Sequence, residues 1–179
     1  MGQNLGDILP EEPEEYLLAD EKAYAEALVA VAQEAFEWQF FREACEKIAK
    51  AATEPEAIWF EASAYVHALM RFVVSTNDAV TENALRRAAE IFVDRTPARD
   101  LPPDLGKQFR QGFQARIEYY SRLLHGPDPL LQVGRTVATS VGVTDPFLAL
   151  SMSSTLVRLA ALLKDLTGHI QLKRSGSRG

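Results

Sequence analysis

Residues 53–74, TEPEAIWFEASAYVHALMRFVV, decide the fold. The run opens with helix-start chemistry: Thr53 reads as an N-cap, Pro55 sits in a first turn that needs no backbone donor, and Glu56 completes a capping box. Beyond Ala57 the apolar residues Ile58, Trp59, Phe60, Tyr65, Leu69 and Phe72 fall on every side of a helical turn. A helix that is apolar all round has to be enclosed by others, so the stretch predicts a central helix in an all-α domain.

The neighbouring segments read as the enclosing helices. On the N-terminal side, residues 20–52, DEKAYAEALVAVAQEAFEWQFFREACEKIAKAA, carry Asp20 as a cap, Glu21 in the first turn and Lys47 and Lys50 towards the end, where they suit the helix dipole. Unbroken, this helix runs about 30 residues, or about 45 Å. Its apolar face, Val31, Ala35, Trp38, Phe41, Cys45 and Ile48, is widened by Val29, Phe36 and Phe40.

On the C-terminal side a third helix covers 79–94, with Leu85, Ala88, Ala89 and Phe92 inward. Residues 95–103, RTPARDLPP, form the longest irregular connection and the natural place for a hinge, because three prolines forbid a continuous helix. A fourth helix from Asp104 to about His125 stops at Gly126-Pro127. Asp128-Pro129 and Asp145-Pro146 each pair a capping Asp with a Pro at N1, opening a short fifth helix and a long sixth. The fifth is interrupted by Gly134 and rich in Thr and Val, so a strand is its alternative. In the sixth, Ala149, Ser151, Ser153 and Ser154 stand beside Leu148, Leu150, Met152 and Leu156, which predicts burial in the core or against a second subunit.

The expected architecture is therefore a single-domain bundle of about six helices over residues 20–168. The second and sixth helices are central, between an acidic, flexible segment 1–19 and a basic, disordered tail 169–179. With 179 residues the chain can bury a core without disulfides or a structural metal. One cysteine, no run of uncharged apolar residues long enough to span a bilayer and an acidic N-terminus give a cytoplasmic reading with no membrane contact.

Charge is split along the chain. Residues 1–61 hold 15 acidic and four basic side chains, net −11, and residues 62–179 hold 10 and 15, net +5. Either the acidic part docks on the basic remainder within one molecule, or it meets a protein partner. Net charge −6 and the scatter of Arg110, Arg116 and Arg122 around the fourth helix argue against nucleic acid.

No motif carries recognisable chemistry, and no cofactor is implied. None of the three histidines follows a glutamate at the spacing of a di-iron bundle. The pair Glu34 and Glu37 has magnesium-site spacing but lacks a second acidic pair, which leaves a solvated face as its reading. Cys45 reads as a core thiol, and the serines around Met152 lack a nucleophile elbow. One polar constellation stands out: His67 and Arg71 share a face with Ser63 and Ser75 on the apolar central helix and could converge on a carboxylate or phosphate, with Trp59 and Tyr65 as pocket walls. Phe36, Trp38, Phe40 and Phe41 are more aromatic surface than a small bundle needs, which suits an interface. Two functions follow: a non-enzymatic interaction or adaptor protein working as a homo-oligomer, a dimer first, that offers its acidic first helix or N-terminal segment to a protein partner, or a helical pocket that binds, or as an enzyme transforms, a small anionic or apolar ligand.

Overall fold

The computed structural model describes residues 17–74, 79–95 and 102–172, and these form an all-α bundle of seven helices. In chain order they are α1 (Glu21–Glu37), α2 (Gln39–Ala51), α3 (Ala57–Val74), α4 (Ala79–Asp94), α5 (Pro103–Leu124), α6 (Pro129–Ser140) and α7 (Pro146–Gly168). Two three-residue strands, β1 (Leu17–Ala19) and β2 (Ile170–Leu172), pair in parallel with Leu17 opposite Ile170. Both strands lie in stretches that the sequence assigns to loose ends. The connection at 95–103, read as a hinge, falls for the most part outside the described residues, as do residues 1–16 and 173–179.

α3 touches every other helix, as its all-round apolar sequence requires. Ile58, Ala62, Val66, Leu69 and Met70 are fully buried. The capping box does not form. Helix α3 starts at Ala57, and Thr53 instead donates its backbone N–H to the Val141 carbonyl at 3.0 Å, with its hydroxyl on the same oxygen. Thr53 thereby ties the α2–α3 corner to the end of α6. Gly142 makes that corner possible, since its φ is +81° and a Cβ there would sit 1.9 Å from Thr53 Oγ1.

The long first helix is two helices. Trp38 adopts an extended conformation, φ −69° and ψ 121°, between α1 and α2. The cause lies in FEWQFF, residues 36–41, whose bulky rings point in different directions on a straight helix. The break lets Phe36 and Phe41 meet at 5.4 Å between ring centres, with Phe41 fully buried.

Of the two Asp-Pro starts, Asp145 caps α7 by accepting from the Phe147 N–H at 2.9 Å, and Asp20 likewise caps α1 through the Ala23 N–H at 2.8 Å. Asp128 occupies the left-handed region at φ 48° and makes no side-chain cap. The α6 segment is a helix, and Gly134 is a contact point within it: a Cβ there would lie 2.1 Å from Ser153 Oγ and 2.8 Å from the Ser153 backbone nitrogen. α6 and α7 thus approach backbone to backbone across small residues.

α7 differs from the expectation of a central helix. Its inner side packs on α6, α3, α2 and α1 through Met152, Leu156, Leu159 and Leu163. Its outer side is open. By length and composition α7 is the one helix among the described residues that could cross a membrane, although Arg158, Lys164 and Asp165 stand in its second half.

Candidate functional site

Two polar residues of α3 are buried, Glu61 and His67, and they differ in whether their polar atoms find partners. Glu61 is engaged through its Oε2. The Arg116 Nε donates to Glu61 Oε2 at 2.7 Å, and the Tyr120 hydroxyl donates to the same oxygen. Arg116 also donates to Ser140 Oγ and lies 4.9 Å from the ring centres of both Tyr119 and Tyr120.

Burial pulls the Arg116 guanidinium down, but its hydrogen bond to Glu61 and the Glu61 charge outweigh this and hold it above the usual arginine value. Burial first, then the Glu61 charge, pushes the Tyr120 phenol far above its ordinary range. Arg116 therefore stays charged and Tyr120 neutral near neutral pH, and the group fastens α3 to α5 and α6. The three arginines read as a scattered basic face divide accordingly: Arg116 turns inward, Arg110 pairs with Asp94 at 2.7 Å, and Arg122 lines a cleft.

That cleft runs between α4 and α5 with α3 as its floor. Its inner chamber, about 230 Å³, is lined by His67 and Arg71 from α3, Glu82 and Arg86 from α4, and Gln114 and Glu118 from α5. More open chambers of about 500 Å³ and 540 Å³ extend it towards Ser121, Arg122 and His125 at one end and towards Asp94, Arg110 and Phe113 at the other. Arg71 and Glu82 pair at 2.9 Å across the mouth.

His67 is 4% exposed, with its ring edge-on to Phe92 at 4.7 Å between centres. Burial lowers its pKa to about 3, so it is neutral at physiological pH. Among the described residues its Nε2 has no hydrogen-bond partner, and neither has Ser121 Oγ beside the adjoining chamber. The third such atom is the Tyr65 hydroxyl, deep in the core between Phe41 and Tyr120.

The polar constellation read from the sequence is therefore half assembled. His67 and Arg71 do come together, but in the core edge and cleft rather than on a solvent-facing stripe. Ser63 turns back to the Trp59 carbonyl at 2.6 Å, and Ser75 lies outside the described residues. Trp59 and Tyr65 do not line the cleft: Trp59 is 43% exposed beside Phe36, and Tyr65 is buried beside Cys45 and Tyr120. Glu82, Arg86, Glu118 and Ser121 escaped the sequence reading because only the placement of α4 and α5 brings them to α3. Glu61 left a clue of its own, a carboxylate inside an otherwise apolar helix, which demands a buried partner.

A second candidate surface lies on α7. Phe147, Leu150 and Val157 are 80%, 58% and 55% exposed, and with the exposed Ser154 and Ala161 they form one stripe at heptad spacing. At its edge Arg158 lies over the Phe40 ring at 4.2 Å, and Phe40 stacks on Trp38. Trp38 and Phe40 are thus half-buried beside the stripe. Phe36 packs into a cluster with Phe41, Trp59 and Phe92, and Phe41 belongs wholly to the core, so neither extends this surface as the sequence reading expected.

Elsewhere the chemistry is quiet. Burial, then Glu46, pushes the Cys45 thiol up to about 12, far from a reactive thiolate. Glu34 and Glu37 lie exposed on α1, Glu37 within 3.8 Å of Arg42, and among the described residues no three metal-ligating side chains converge. No protein-family model matches the chain, and neither the curated proteins nor the solved structures contain a match.

Proposed function

We propose that this chain is a non-enzymatic interaction protein that works as a homodimer, with the outer face of α7 as the contact between copies. The observation that carries this reading is the exposed stripe of Phe147, Leu150, Ser154, Val157 and Ala161 on a helix whose other side is core. Phe147 and Leu150 stand at the N-terminal end, Ser154 at the middle, and Val157 and the small Ala161 towards the C-terminal end. An antiparallel pairing about a two-fold axis at Ser154 sets Phe147 against Ala161 of the second copy. It also brings the exposed Asp145 near Lys164 and opposes the helix dipoles favourably. Packing of large against small and acid against base in one register argues for a second copy as the occupant.

The charge split fits a contact of this kind without a separate acidic partner surface. Glu26 pairs with Arg95 and Glu61 with Arg116, so part of the acidic N-terminal region already meets the basic remainder within the molecule.

Ser154→Cys tests the arrangement, because the native Cys45 is buried and unable to interfere. Mild oxidation is expected to convert this variant to a covalent dimer, while a cysteine placed at the exposed Gln111 on α5 leaves the chain uncrosslinked. Equal crosslinking of both variants, or none at Ser154→Cys, would sink the reading.

A further inference from the structure

We propose that the cleft between α4 and α5 binds a small zwitterion of the α-amino-acid class, its anionic group on Arg86 and its ammonium on Glu118. The proposal starts from charges that face one cavity yet do not pair. Arg71 is neutralised by Glu82 and Arg110 by Asp94. Among the described residues Arg86 on α4 bonds only the neutral Asn83 side chain, at 3.1 Å, and Glu118 on α5 has no ion-pair partner. Both line the inner chamber, on opposite walls. One unpaired cation and one unpaired anion lining a chamber of about 230 Å³ suit a small ligand that carries both charges. The balanced lining also disfavours ligands of high single-sign charge, which would face an uncompensated carboxylate or guanidinium.

The floor supplies the second, independent observation. His67, 4% exposed, lines the same chamber with Nε2 unpartnered, and Ser121 Oγ is unpartnered in the chamber beside it. Both atoms are closed to solvent in this structure, and buried polar atoms in native proteins nearly always have partners, so a water or ligand group entering beneath the cleft lining would complete the floor.

Free glycine, serine, glutamine, glutamate, lysine, histidine and phenylalanine are the probes, each titrated into the full chain by calorimetry and thermal melting. At least one is expected to raise Tm by about 5 °C near saturation. Its N-acetyl and methyl-ester derivatives, each lacking one charge, should give no shift. Arg86→Gln and Glu118→Gln alter exposed side chains, so the ligand-free Tm should hold while affinity for that amino acid falls at least tenfold. If no probe shifts Tm, if the blocked derivatives bind as well as their parent, or if both glutamine variants keep full affinity, the cleft holds water alone and the proposal fails.

Discussion

α3 and α7 are the two most apolar helices of the bundle, and they are used in opposite ways. α3 is surrounded by all six other helices, and its polar residues are enclosed with it. α7 gives one side to the core and leaves Phe147, Leu150 and Val157 in solvent. Apolar content alone therefore does not say where a helix sits. The polar residues separate the two: α3 places Glu61 and His67 where neighbours enclose them, whereas the small and charged positions of α7 alternate with its exposed apolar ones and shape a surface.

The largest effect that sharpens this contrast is a pair of truncations. Leu69→Ala on α3, at a fully buried site, is expected to cost about 3 kcal/mol of stability by chemical denaturation. Val157→Ala on α7 should stay within about 0.5 kcal/mol when measured on dilute, dissociated protein. Equal costs at the two positions would mean that α7 is covered within a single chain.

A smaller effect comes from His67. Its pKa is lowered from 6.5 to about 3 by burial, so the unfolded chain takes up a proton between those values while the folded chain does not. The stability due to neutral His67 is complete above pH 6.5 and lost as pH falls towards 3. Between pH 6.5 and about pH 5 this should amount to on the order of 1–2 kcal/mol. Arg71, Glu82, Arg86 and Glu118 line the same chamber as His67, and a His67→Leu variant that leaves them in place should flatten this part of the profile. An unchanged slope would place the ring in contact with water rather than in the core.

Much of this was legible in the sequence, and the misses have physical causes. Asp20 and Asp145 signalled their helices because a cap is a local bond between residues two or three apart. The break at Trp38 was not legible, since it resolves a conflict between Phe36 and Phe41 that appears only when both must reach the same core. Thr53 carried a capping signal, yet Val141, 88 residues away, took its donors. His67 and Arg71, at i, i+4 spacing on α3, line one chamber. Their partners Glu82, Arg86 and Glu118 became visible only when α4 and α5 were set against α3, because side chains that meet across helices leave no spacing in the chain. The open face of α7 was half legible: its small and hydroxylated residues announced close packing, and Gly134 against Ser153 shows it on the inner side.

The most direct test of the account is the mass of the native protein in solution, measured by equilibrium sedimentation beside a Leu150→Asp/Val157→Asp variant. The account predicts twice the chain mass for the native protein, with dissociation on dilution, and a single chain mass for the variant with an unchanged circular-dichroism spectrum. A native protein that remains a single chain at high concentration, or a doubly substituted variant that remains a dimer, would contradict it.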